Sequence, residues 1–212
     1  MSYPTLRLHP RKEESVLRFH PWIFSGAIAS FSAPVEDGDL VSVVDSKGRP
    51  LGTGHFGGGS IAVRLLSFDA EEVIDRAFYK RRLEAALRLR LSCDLVRPVG
   101  SSDSPNTTYR LVHGEGDSLP GLIIDIYDRT AVVQAHSLGM HQARQTIAEV
   151  LWEVFAEAGD PVLPLEGIYY KSETTLPTRD MRELASDGFL IGHTEAAPIY
   201  ENGVRFTPDW LK

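Results

Sequence analysis

Cysteine is almost missing from this chain: Cys93 stands alone among 212 residues. A single thiol excludes an internal disulfide framework and agrees with a reducing compartment, so a cytoplasmic location is expected. Long apolar runs are also missing, and nothing approaches the roughly 20 consecutive apolar residues of a helical membrane span. No membrane partner is therefore expected. The opening Met1-Ser2-Tyr3-Pro4-Thr5 lacks a charged region followed by an apolar core, so no signal peptide is expected. Internal repeats are absent. An overall excess of positive charge is absent too, since the net charge is −7.

That net charge conceals an asymmetry. Residues 1–112 carry 15 Lys/Arg against 13 Asp/Glu, whereas residues 113–212 carry 7 against 16. The first half can therefore tolerate a polyanion, while the second is acidic. The chain length and an apolar share of 42% fit two compact globular units.

The first unit is expected over residues 1–69. Leu6-Arg7-Leu8, Trp22-Ile23-Phe24, Leu40 to Val44, Pro50 to Phe56 and Ile61 to Phe68 are short strand-like runs, with a helical turn at Glu13 to Leu17. Turn signals such as Glu36-Asp37-Gly38-Asp39 and Asp45-Ser46-Lys47-Gly48 separate them, which suggests a small β-barrel. From Ala70 to about Leu95 the period becomes helical, with Asp69 as the expected N-cap and Glu71-Glu72 in the first turn. Residues 70–104 read as a basic connecting helix followed by a Ser/Pro-rich linker, Gly100 to Asn106. Residues 105–212 read as an α+β unit: an antiparallel sheet with one main helix, Met140 to Ala158, stopped by Gly159. The fold class is thus mixed, a barrel followed by an α+β domain.

Four features could carry chemistry. The run Gly54-His55-Phe56-Gly57-Gly58-Gly59-Ser60 has the glycines of a phosphate loop, but the strand-like Ile61 to Leu65 follows where a helix should open. It reads as a wide turn. His113, Glu115 and Asp117 alternate with Gly114 and Gly116, which could be a metal or catalytic cluster or a tight turn. Cys93, after a basic helix, could be a nucleophile, yet it has no base nearby in sequence. Those residues support one alternative class, a small metal-dependent or cysteine enzyme; the acidic half supports another, a protein-interaction module. The fourth feature is basic and aromatic: Arg7, Arg11, Lys12, Arg18, His20, Trp22 and Phe24, with Arg64 on a later strand. Arg and Lys can neutralise phosphates while aromatic rings stack on exposed bases. The same residues could equally be core aromatics with solvated charges.

At these residues the chain resembles a known family. Lys12 to Ile28, K-E-E-S-V-L-R-F-H-P-W-I-F-S-G-A-I, together with Gly52-Thr53-Gly54 and Ile61 to Ser67, is similar to a PUA domain, a small RNA-binding barrel. It resembles the one that opens the bacterial large-subunit (23S) rRNA cytosine-5 methyltransferases, the RlmI-like group. The string Y-R-L-V-H-G-E-G-D-S-L-P-G-L-I-I-D from Tyr109, with Gly167 to Ser172 and Glu201 to Phe206, is similar to that family's central domain. The resemblance implies RNA, ribosomal by analogy, as the partner. It implies Arg7, Arg11, Lys12, Arg18, His20 and Arg64 as the barrel's RNA surface, with Arg81, Arg82, Arg88 and Arg90 extending it. It alone raises a homodimer as an assembly state. S-adenosylmethionine and the attacking cysteine belong, in the family, to a Rossmann-like domain expected beyond Lys212. On that reading this chain holds no cofactor, no metal and no catalytic residue.

Overall fold

The computed structural model describes residues 3–101, 103–177 and 186–208. Met1-Ser2, Ser102 within the Gly100–Asn106 linker, and the last residues up to Lys212 lie outside them.

The first unit is one curled six-stranded sheet. Its strands are β1 (Thr5–Leu8), β2 (Trp22–Phe24), β3 (Ile28–Phe31), β4 (Leu40–Val44), β5 (Pro50–Phe56) and β6 (Ile61–Ser67), in the spatial order β2-β6-β5-β4-β1-β3. Strands β1 and β4 run parallel; every other pairing is antiparallel. Period-2 alternation turns Leu6, Leu8, Val41, Val43, Val63 and Leu65 into a common core, with Val16 of the short helix α1 (Glu14–Leu17) at one end. Strand β3 is absent from the sequence-based expectation, because a 3-10 turn at Ser25–Ala27 places it directly after β2.

The second unit is a five-stranded sheet of β7 (Thr108–His113), β8 (Leu122–Tyr127), β9 (Thr130–Ala135), β10 (Gly167–Tyr170) and β11 (Gly188–Gly192), ordered β11-β10-β9-β8-β7. Strands β7, β8 and β9 form the expected antiparallel meander, but β9 and β10 are parallel. The sheet is therefore mixed, not antiparallel. A parallel neighbour needs a crossover, and the helices α3 (Leu138–Gln142) and α4 (Arg144–Ala158) supply it.

One main helix is expected on this sheet; in the structure a second long helix joins α4 against it. Helix α2 (Arg76–Ser92) buries Phe78, Leu83 and Leu87 in the same core as Ile147, Leu151 and Phe155 of α4 and the inner face of the sheet. It is a structural layer of the second unit as well as a connection. Its N-cap is Asp75, whose carboxylate accepts the Phe78 amide at 2.9 Å; Asp69 instead closes a local turn on the Glu71 amide. Across α2 and α4, Arg76 and Lys80 meet Glu153 and Glu157. Leu66, at the end of β6, enters this core as well, so the two units share apolar packing. A small hairpin, β12 (Ile199–Glu201) and β13 (Val204–Phe206), completes the fold around an Asn202-Gly203 turn with positive φ at both residues. Among the described residues, no helix is long and apolar enough to cross a membrane.

Candidate nucleic-acid interface

Strand register builds the site. Trp22 lies opposite Arg64, and Arg64 lies opposite His55. Directly opposed residues share one face of a sheet, so β2, β6 and β5 present Trp22, Arg64 and His55 as a row on the outside of the barrel. This row faces the second unit. The Trp22 indole N–H donates to Glu115 Oε1 at 2.7 Å. The Arg64 side chain passes Gly121, and the His55 ring lies so close to Gly139 that a Cβ there would collide with it.

His55 is 6% exposed. Burial, and secondarily the Arg64 charge, holds its pKa down to about 4, so it is neutral near pH 7. Its Nδ1 has no hydrogen-bond partner among the described residues. Arg64 is half-buried, which lowers its pKa, while Glu115 acts in the opposite direction. His136, on the rim of the same seam, is also pushed down, chiefly by burial.

Beyond the row, the basic and aromatic residues divide. Arg11, Lys12, Arg18 and His20 are exposed. The His20 ring meets Trp22 edge-on at 5.7 Å, and His20 Nδ1 accepts the Trp22 amide. Phe19, absent from the sequence-based set, is 74% exposed and meets Phe68 edge-on at 5.3 Å. It also holds φ +61° just past α1, a left-handed position where glycine is the usual residue. Arg7 is occupied elsewhere, donating to the carbonyls of Asp45 and Ser46 in the β4–β5 turn.

The arginines of α2 do not form one surface. Arg81 pairs with Glu72 at 2.8 Å. Arg82 donates to the Leu66 carbonyl and lies over the Phe78 ring. Arg88 is exposed beside Glu84. Arg90 is a correction: it is 8% exposed, forks onto both Asp117 oxygens and donates to the Arg110 carbonyl. A guanidinium so enclosed cannot reach a phosphate.

The same contacts resolve the residues around Glu115. Gly114–Asp117 is a 3-10 turn, Asp117 accepts the His113 amide, and Glu115 faces Trp22. The three side chains are drawn to different partners, and no group of three or more potential ligands exists among the described residues. Cys93 is exposed at the C-cap of α2.

Residues 6–68 match the PUA-like domain family. The N-terminal barrel is a PUA-like domain. The resemblance to the rRNA methyltransferases extends beyond it. The chain is 33% identical, over 98% of its length, to ribosomal RNA large subunit methyltransferase I of Klebsiella pneumoniae. It is 37% identical, over 96%, to that of Shewanella amazonensis. In each case it covers 48% of the relative, so the chain spans about half the length of the curated relatives it matches. Among solved structures, a candidate SAM-dependent methyltransferase from Streptococcus mutans superposes with a TM-score of 0.73 over 98% of this chain and 48% of that one, at 18% identity. A candidate methyltransferase crystallised with SAH gives the same TM-score at 17% identity, covering 98% and 47%. At such identities these two establish the fold. The PUA-like barrel and the second unit thus occur together in the fold of longer proteins.

Proposed function

We propose that this chain is the RNA-recognising part of a SAM-dependent methyltransferase acting on large-subunit ribosomal RNA, at a cytosine C5. Its task within that enzyme is recognition, and methyl transfer belongs to the part of the relatives that this chain does not span. The observation that carries the reading is the exposed basic and aromatic end of the PUA-like barrel. There Arg11, Lys12, Arg18, Phe19 and His20 are all exposed, and the His20 ring meets the half-buried Trp22 edge-on. Cations without carboxylate partners serve phosphates, and exposed rings serve unstacked bases. Arg81 and Arg88 add a weaker, longer-range attraction, since each has a carboxylate nearby. Arg7 and Arg82 contribute to the field in the same way.

Support for placing S-adenosylmethionine elsewhere comes from the local geometry. Gly57-Gly58-Gly59 joins two antiparallel strands and no helix opens after it. The strand–helix crossover from β9 begins Ala135-His136-Ser137-Leu138, with no glycine-rich loop. Neither place offers the glycine-rich turn into a helix that would cradle the cofactor.

The test is a binding titration of the chain with structured rRNA fragments. Binding is expected at about 50 mM salt and should weaken steeply by about 200 mM, while incubation with labelled S-adenosylmethionine transfers no methyl group. Absence of binding at the lower salt would overturn the RNA reading. Methyl transfer by this chain alone would overturn the division of labour.

A further inference from the structure

The seam between the barrel and the second unit contains two hollows with a common wall. One, about 290 Å³, lies between the Gly57–Ser60 loop, His55 and Ser137. The other, about 340 Å³, lies between Trp22, Gly121 and His136. Arg64 and Ile61 line both. Each volume is near the lower end of small-molecule sites, enough for one nucleoside and too small for a folded RNA element.

The dividing wall is chemically unusual. Among the described residues no hydrogen bond or ion pair engages the Arg64 guanidinium, although the side chain is half-buried. Paired arginines are common elsewhere in the chain, as Arg49, Arg76, Arg90 and Arg110 show. Glu115 lies near enough for its charge to act on Arg64, but a half-buried guanidinium with no directly bonded acceptor is costly unless a ligand completes it. His55 gives an independent sign: a nine-tenths-buried ring with an orphaned Nδ1 lines the first hollow. The carboxylates at the margins are already engaged. Glu115 accepts from Trp22, and Asp37 accepts the Gly58 amide. They leave room for one anionic group at Arg64 and disfavour a polyphosphate. Base edges, which carry amino donors, suit the same margins.

We infer that the seam binds one dinucleotide step of an unpaired RNA strand, with the bridging phosphate on Arg64, one nucleoside against Trp22 and His136, and the next between His55 and Ser137. This rests on the RNA reading above and refines it: the open end of the barrel attracts the backbone, and the seam grips a single-stranded step. Recognition here depends on both units, since Trp22, His55 and Arg64 come from the barrel while His136 and Ser137 come from the second unit.

The experiment is an NMR titration of the whole chain, following the Arg64 Nε–H, the Trp22 indole N–H and the imidazoles of His55 and His136. The probes are a dinucleoside monophosphate, inorganic phosphate and a free nucleoside. The dinucleotide should shift all four groups, and more strongly than either of the other probes. Arg64→Lys and Arg64→Gln, with amide spectra showing an intact fold, should weaken it about tenfold or more, because Lys cannot reproduce the guanidinium fork. Inorganic phosphate moving Arg64 as far as the dinucleotide does would overturn the two-nucleoside arrangement. If the four groups stay still while a longer RNA shifts the Arg11 and Lys12 amides, the seam proposal falls and the RNA reading survives. If no RNA shifts either set, both fall.

Discussion

The basic residues of the first half sit in two regions that use charge in opposite ways. Along α2, cations are neutralised: Arg76 and Lys80 by Glu149, Glu153 and Glu157, Arg81 by Glu72, and Arg90 by Asp117. Around α1 and β2, Arg11, Lys12 and Arg18 make no ion pair among the described residues, and Arg64 on β6 makes none at contact distance, although the Glu115 charge acts on it. Both regions look alike as strings of Arg and Lys. What separates them is whether the fold returns a carboxylate to each cation, and that depends on residues far away in sequence. The paired region maintains the architecture, and the unpaired region remains available to a polyanion.

The largest expected effect would break the paired side. Arg90→Ala strands Asp117 in a buried site and should destabilise the fold by about 3–5 kcal/mol, read as a loss of denaturant midpoint, with RNA affinity of the remaining folded protein unchanged. If Arg90→Ala left stability intact and abolished RNA binding, the division drawn here would be reversed. Next in size is a pH effect at the seam. His55 has a folded pKa near 4, below its ordinary 6.5, so between those values the unfolded chain binds the extra proton. Stability from this group is therefore full above about pH 6.5 and is lost as the pH falls toward 4, by about 3 kcal/mol in all. His55→Gln should flatten that part of the stability–pH curve; an unchanged slope would mean the ring is not held neutral by burial.

Reversing the unpaired charges comes third. Arg11→Glu with Lys12→Glu should weaken RNA binding by about tenfold to a hundredfold at low salt and reduce the salt dependence. Stability should move by less than about 0.5 kcal/mol, as usual for exposed sites. Equal losses from Arg81→Glu with Arg88→Glu would erase the contrast between the regions. The smallest stability change is expected at Phe19→Gly. Relief of the left-handed backbone, about 1 kcal/mol, offsets loss of the edge contact with Phe68, of similar size. Affinity for single-stranded RNA should nevertheless drop about tenfold, the usual order for a lost stacking ring.

Much of this arrangement was legible from local sequence. The turns at Asp37-Gly38 and Asp45 to Gly48, the glycine run as a wide turn, and the helix stopped at Gly159 all follow from backbone preferences that act within a few residues. The failures were non-local. Nothing near Thr130 or Gly167 announces that their strands run parallel, since a buried strand looks the same in either direction. Asp69 and Asp75 are both competent caps, and tertiary packing of Phe78 selected the second. The partnership of Trp22 with Glu115 spans 93 positions, and that of Arg90 with Asp117 looked like a surface arginine beside a glycine turn. His55 was read only as part of a glycine-rich loop; its burial depends on Gly139, which no local rule connects to it.

The close approach of Gly139 to His55 has one more consequence. With bare backbone against an imidazole ring, Gln142 pressed on Gly38 and an indole bonded to Glu115, the barrel cannot swivel on its neighbour without parting these contacts. The two units act as a caliper with a fixed gap. On the RNA reading proposed above, a strand held at β2 would be presented at a fixed distance and bearing from the second unit, so the reach of the pair is measured by its hinge-free joint.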